Sequence, residues 1–551
     1  MKTHEVVNQS YSLDGYNVVD GDQPLLEGLK REGGAWILPK LTELGALAGG
    51  EAMAWGRLAN DNPPVLRTHD RYGNRIDEVE YHPAYHQLMK ASVGFGVHAL
   101  PWQQEKKSGA FVARAACGYT MSQAENGHGC PITMTFAVVP AMKVQPDVAA
   151  QWVPKLTAAS YDSRFIPVAG KTGAIAGMAM TEKQGGSDVR ANTSRAVAAG
   201  SKTGPGAEYL LTGHKWFCSA PMSDVFLTLA NTDKGLTCFA LPRWTPDGKR
   251  NNIFIQRLKD KLGNNSNASS EIEFENAWAQ MVGEDGRGVR TIIEMVQHTR
   301  LDCVMGSTST MRQSVAQAIH HTSNRSAFGK RLVEQPLMKN VLADLCVEVE
   351  AATMLMFRLA RAYDEAQTDK AAALFARLAT PVSKYWVTKR CASVVGEALE
   401  AHGGPGYVEE GPMARLYRDA PLNSIWEGSG NVICLDVLRA MVKEPDATQA
   451  FIGELVAAKG ADRHYDAYVD RLLNQLSDPA NAEVRARQVV EQLAKALQGS
   501  LMVKHGHPAV SAAFCKSRLA GEHGDQFGTL PPSSDFDAII ERSRPVPPKR
   551  A

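Results

Sequence analysis

Apolar residues recur at helical spacing over Ala110–Glu125 and Pro146–Lys155, and the whole stretch from Tyr81 to about Gly170 is mostly helical in pattern. Just before it, Asn60–Tyr81 is crowded with Pro, Asp, Asn and Arg and reads as a loop. The texture changes at Ala174. From there to about Gly283, short apolar runs (Tyr209–Leu211, Val225–Ala230, Thr237–Leu241, Glu271–Phe274) alternate with turns, which predicts a β-rich domain of short strands. Long helices return between Gly288 and Lys443. Thr291–Arg325 and Leu337–Ala366 are too long and too poor in breakers to be strands, and Gly403–Gly411 interrupts the run. From Glu444 on, Val456–Leu476 and Val484–Val503 are amphipathic, and the Pro- and Ser-rich end, Gly528–Ala551, is expected to be loosely ordered. Helix, sheet, helix and a further helical piece is an α+β multidomain order, not a doubly wound one. No GxGxxG follows a strand, so nothing supports a Rossmann site.

The length of 551 residues sets a prior of two to four domains. A composition of 44% apolar and 22% charged residues is ordinary for a globular enzyme, and the net charge of +1 gives no reason to expect a polyanion partner beyond a local basic surface. Nine scattered cysteines with no CxxC pair suggest reduced thiols of the cytoplasm, and no metal site is expected. The most apolar run, Cys130–Met142, is short and contains Pro131 and Pro140, and Met1–Ser10 is polar, so neither a membrane span nor a leader is expected.

Five stretches could carry chemistry. Met178–Asp188 leaves a strand near Thr181, and Gly185-Gly186 frees the backbone to approach a ligand beside the hydroxyls of Thr181 and Ser187. Gly213–Ser219 places Trp216-Phe217 where they could be core or could wall a flat ring, with Ser219 at its edge. Asn324–Gly329 with Gln335 offers Arg325, whose fork of donors suits pyrophosphate but also an ordinary helix end. His402–Tyr407 is a glycine turn of the kind that caps helices. In Asn423–Asn431, Glu427 lies among apolar and glycine residues just before a helix; it could be a base tuned by partial burial or a plain helix-start charge.

Taken together and in this order, the five stretches resemble the acyl-CoA dehydrogenase family over roughly Gly94–Val442. Thr181-Glu182 with Gly186-Ser187-Asp188 is similar to that family's flavin segment, Arg325 with Phe328-Gly329 and Gln335 to the segment that reaches the FAD of a neighbouring subunit, and Trp426-Glu427-Gly428 to the segment carrying the catalytic base. The resemblance implies the family's fold: an N-terminal helical domain (1–173), a central β domain for flavin and substrate (174–286) and a C-terminal four-helix domain (287–444). It further implies FAD bound by Met178, Ala179, Met180, Thr181, Glu182, Gly185, Gly186 and Ser187, by Phe217 and Ser219, and by Arg325, Phe328 and Gln335. Gly403 and Gly404, then Ile425, Trp426, Gly428, Ser429, Gly430, Asn431 and Leu435, complete the implied cofactor set, with Glu427 as the base. The sequence departs from the family in three places. Glu400 stands where the family has Gln, and a carboxylate cannot donate to the cofactor. Trp426 replaces a smaller aromatic, and Lys183-Gln184 replace Pro-Gly.

Met180–Asp188, Lys259–Asn264, Ile425–Asn431, the Arg57–Pro64 segment and an extra C-terminal helical domain (445–551) narrow the resemblance to the AidB-type branch. That branch implies a homotetramer, double-stranded DNA bound through the C-terminal domain in the adaptive response to alkylation, weak dehydrogenase activity, and an acyl-CoA or alkylated substrate. The alternative is a metabolic acyl-CoA dehydrogenase with an added domain. Pro445–Ala551 holds 13 basic and 13 acidic residues, so the domain is not globally basic. Gln492–Gly521, however, is free of acids, and Lys504, Lys516 and Arg518 are the expected phosphate contacts, with His505 and His507 nearby.

Overall fold

The computed structural model describes residues 3–478 and 480–548. Its contacts group the chain into two compact units. One comprises the residues up to Glu51, Ser108–Gln123 and everything from Cys303 on; the other comprises Ala52–Lys107 and Ala124–Asp302. The stretch expected as one N-terminal helical domain is therefore shared between them, and 445–548 is part of a larger unit.

The second unit is built on a closed sheet. Its strands are β3 (Ala176–Ala179), β4 (Arg195–Ala198), β5 (Glu208–Ser219), β6 (Val225–Thr232), β7 (Gly235–Pro242), β8 (Ile253–Leu258) and β9 (Ser269–Met281). Pairing runs β6–β4–β5–β9–β7 and returns to β6, with β3 added in parallel to β6 and β8 added to β9. Closure gathers Phe226, Phe239, Tyr209, Leu211 and Ile272 into one core. The Asn60–Tyr81 stretch is not a loop: β1 (Val65–His69) and β2 (Arg75–Glu80) form an antiparallel hairpin. Only Val79 of the hairpin is a buried apolar residue, so the alternation is masked by charge. Buried Asp77 docks the hairpin by accepting the Ile255 amide of β8 at 2.9 Å. The helices Pro83–Gly94, Gly129–Lys143 and Pro146–Leu156 belong to this unit.

The first unit is a helical bundle. Its long members are the helix Gly288–Asn324 from Cys303 on, Pro336–Glu365 and Lys370–Glu400. The helices Gln23–Arg31, Leu38–Gly49 and Ala110–Ser122 belong to the same unit. Gly109 caps Ala110–Ser122 without a side chain. Asp364 substitutes from a neighbouring helix, accepting the Phe111 and Val112 amides at 2.9 and 3.2 Å. Helices Pro445–Val456, Arg463–Leu476 and Ala486–His505 pack into this bundle, and the expected single run Val456–Leu476 breaks between the first two.

Residues 528–548 are ordered rather than loose, and 549–551 lie outside the described residues. Leu530, Ile539 and Ile540 are buried. Asn340 exchanges hydrogen bonds with the backbone of Leu530, and Arg542 pairs with Glu350 and Glu27. Among the described residues no helix is long and apolar enough to cross a membrane, and no group of His, Cys, Asp or Glu could hold a metal ion.

Candidate functional site

The site residues fall into one group within the sheet unit and two within the helical unit. In the sheet unit, β3 delivers Met178 and Ala179, and the chain then turns through Met180–Ser187. The Trp216 amide of β5 donates to the Thr181 carbonyl at 2.8 Å, so the turn and the aromatic pair of β5 are neighbours. Phe217 is 54% exposed, with the Lys259 ammonium 4.6 Å from its ring centre; Trp216 carries the same ammonium at 3.4 Å. Ser219 bonds Ser269 at 3.1 Å.

Glu182 differs from the expectation. Its side chain turns inward, wholly buried against Lys215 at 2.8 Å. It also accepts the Thr193 and Ser194 amides at 2.7 and 3.2 Å. Burial alone would raise its carboxyl; the Lys215 ammonium and these donors outweigh that and hold it at about 2. Its own amide donates to Gly185. With carboxylate and amide both committed, Glu182 braces the turn and has no donor left to offer a cofactor. Gln184 braces it too, donating to Glu182 at 2.7 Å and to the Ala191 carbonyl at 3.0 Å. The hydroxyls of Thr181 and Ser187, by contrast, make no bond among the described residues. An exposed aromatic face beside a polar turn with free hydroxyls is the donor set that a flat ring with a polar edge requires.

In the helical unit, Arg325 ends a long helix and donates to the Asn8 carbonyl. A short hairpin follows, β10 (Ser326–Ala327) and β11 (Lys330–Arg331), with Phe328-Gly329 as its two-residue tip. Both tip residues have positive φ, +53° and +78°, as the tightest hairpin turns demand, and Phe328 is 98% exposed. Gln335 closes the hairpin by donating to the Ala327 carbonyl at 2.9 Å. Gly403-Gly404 follow the helix Lys370–Glu400, whose last residue, Glu400, is exposed.

The third group surrounds Glu427. Ile425 is exposed, and Trp426 is half-buried with its indole N–H on Asn423 at 2.8 Å. Glu427 has φ +58° and Gly428 φ +104°. An L-residue in that region sits at a cost of about 1–2 kcal/mol, so the surroundings must impose it. The helix Gly430–Lys443 starts immediately after, with Ser429 at its N-cap making no side-chain cap bond. A Cβ at Gly430 would come within 3.0 Å of Lys389 and 3.3 Å of Arg487, so two cations crowd the first turn. Arg487 donates to Asn431 at 2.8 Å, and Leu435 lies one turn further on, partly exposed. Uncapped amides beside cations suit a phosphate-bearing group.

The three expected DNA contacts separate. Lys504 is exposed at the end of Ala486–His505. Lys516 is half-buried and bonds Ser533 at 3.1 Å. Arg518 is a correction: its side chain is 9% exposed and pairs with Asp344 at 2.5 Å and Glu348 at 3.2 Å, so its charge is neutralised inside the bundle and cannot serve a phosphate.

Comparison with known proteins agrees with this architecture. Residues 8–163 match the model of the adaptive response protein AidB N-terminal domain. Residues 177–277 and 286–442 match the acyl-CoA dehydrogenase middle and C-terminal domains. The chain belongs to the acyl-CoA dehydrogenase family, in its AidB-type branch. It is 45% identical to the putative acyl-CoA dehydrogenase AidB of Escherichia coli K12, over 94% of this chain and 95% of that one. It is 30% identical to acyl-CoA dehydrogenase family member 11 of Caenorhabditis elegans, over 88% and 83%. Among solved structures, Bd2924 in its apo form is 30% identical with a TM-score of 0.83, covering 90% of this chain and 100% of that one. C. elegans ACDH-11 in complex with C11-CoA is 25% identical with a TM-score of 0.85, covering 95% and 94%. The family is FAD-dependent.

Proposed function

We propose that this chain is an FAD-dependent oxidoreductase that removes hydrogen from the α and β carbons of an acyl-CoA thioester, with Glu427 as the base. The observation that carries this is Glu427 itself: a carboxylate held in a left-handed turn directly ahead of a helix start. Strained backbone of this kind clusters at functional sites, and here it falls on an ionisable residue. FAD supplies the redox chemistry, accepting the β-hydride when bound. Within the sheet unit, Thr181, Ser187, Phe217 and Ser219 would hold its ring system. Within the helical unit, the first turn of Gly430–Lys443 with Arg487 and Lys389 suits a phosphate-bearing group. Glu427 takes the proton from the carbon next to the thioester carbonyl.

A second reading rests on membership of the AidB branch: double-stranded DNA bound through the C-terminal region, a homotetramer, and a part in protecting or repairing alkylated DNA. Phe328, exposed at the tip of a hairpin, supports an oligomer in which this tip inserts into a neighbouring copy. The two readings separate in one experiment, flavin reduction by a panel of acyl-CoAs against alkylated duplex DNA. Glu427→Gln keeps the shape of the side chain and removes the base. It should lower acyl-CoA turnover on the order of 100-fold or more while FAD content stays constant. An unchanged rate would move the base elsewhere.

A further inference from the structure

The helix Lys370–Glu400 carries a lysine, Lys384, that is 1% exposed. Its ammonium donates to the Trp426 carbonyl at 2.9 Å and to the Gly428 carbonyl at 2.5 Å. These are the carbonyls on either side of Glu427. We propose that Lys384 is the positioning residue of the candidate base: its buried ammonium clamps both flanking carbonyls and so fixes where the Glu427 carboxylate points. The inference rests on the reading of Glu427 as the base.

Carbonyls two residues apart meet at one atom only if the backbone between them reverses. Here it does, through two successive positive φ angles at Glu427 and Gly428. The segment lies between the short turn Leu422–Ser424 and the helix Gly430–Lys443, so no regular helix or strand ladder imposes that reversal. Two ties hold it. On one side the Trp426 indole N–H bonds Asn423, and Asn423 in turn donates to Ser307 at 3.1 Å. On the other side stands Lys384. A lysine suits the task because its compact ammonium carries three donors that can be shared between converging acceptors, whereas the planar arginine fork matches parallel ones. Were the clamp released, Glu427 could return to negative φ, and its Cβ would swing away from its present direction. Misplacing a reacting group by about 1 Å costs on the order of 100-fold in rate.

The test is Lys384→Met in the full-length, FAD-loaded protein, read in two ways. Amide hydrogen exchange at Trp426–Asn431 reports on the turn. Reduction of the bound flavin by butyryl-CoA, across pH, reports on the base. We expect exchange in this segment to speed up at least 10-fold and kcat to fall on the order of 100-fold. KM, FAD content and far-UV circular dichroism should stay close to the parent. Lys384→Gln, which keeps a donor without the charge, should recover part of both losses; if the Met variant does not fold, the Gln variant carries both measurements. Exchange at the parent's rate would overturn the clamp, whatever the rate of reduction does. Faster exchange with flavin reduction unchanged, both in the Lys384 variant and in Glu427→Gln, would leave the clamp standing and remove Glu427 as the base.

Discussion

Glu427 shows how function and stability pull apart at one residue. The cost of a left-handed L-residue is about 1–2 kcal/mol, while glycine adds roughly 0.4–1 kcal/mol of unfolded-state entropy that folding must overcome. The first effect is at least as large as the second. Glu427→Gly should therefore be between neutral and about 1.6 kcal/mol more stable than the parent in urea denaturation, although it lacks the base. A clear loss of stability would mean that the carboxylate, not the backbone, is what the fold depends on at this position. The motif around Glu427 was legible in the sequence, because its residues are consecutive. Lys384 was not. It lies 42 positions before Trp426, and its partners are backbone carbonyls, which carry no mark in a sequence. Glu182 misled for the opposite reason: it stands inside the flavin-like motif, but Lys215, 33 positions on, claims its carboxylate.

At the scale of elements, periodicity revealed the parts whose burial repeats. The strands β5, β6, β7 and β9 and the long helices lie where their apolar patterns place them. The hairpin β1–β2 and the chain end escaped notice because buried polar groups anchor them as much as apolar faces do. Arg542 bonds Glu350 and Glu27 while Arg312 donates to the Ser543 carbonyl. Arg542→Ala would leave buried Glu350 without its partner and should cost about 3 kcal/mol in urea denaturation, with new proteolytic cleavage beyond Gly528. A loss below 1 kcal/mol would mean that the tail is held mainly by Ile539 and Ile540.

The end of the helix Gly288–Asn324 makes a prediction about pH. His321 is buried with its ring 4.8 Å from that of His402. Burial, then the nearby His402, Arg325 and His320, lower His321 to about 4. The unfolded chain binds this proton near pH 6.5 and the folded chain does not until about pH 4. The stability that depends on a neutral His321 is thus complete above pH 6.5 and is lost as pH falls toward 4. The loss is on the order of 2–3 kcal/mol. Thermal melts of His321→Phe should show a flatter fall between pH 6.5 and 4 than the parent; equal slopes would assign the acid sensitivity to other groups.

For the whole molecule, the question is whether the C-terminal residues form a DNA-binding module. They belong to the larger helical unit, and Arg518 is one of the ties. A basic count along the sequence cannot separate a surface lysine from an arginine whose acid partners lie some 170 positions earlier. Removing Arg518 would strand Asp344 and Glu348, so Arg518→Ala should lose about 3–5 kcal/mol of stability. Any weaker DNA binding by that variant would report unfolding rather than a lost phosphate contact. The informative variant is therefore Lys504→Ala with Lys516→Ala, since both side chains lie outside such buried pairs. If each lysine neutralises one phosphate, the log–log slope of duplex affinity against salt should flatten by roughly 0.9 per lysine, or about 2 in all. The weakening should be equal for unrelated sequences, because these contacts would reach the backbone and not base edges. Fluorescence anisotropy over a salt series measures both quantities. Urea denaturation of the same variant should match the parent within about 0.5 kcal/mol, which separates a lost contact from a damaged fold. An unchanged slope in a fully folded double variant would take the DNA surface away from this region altogether.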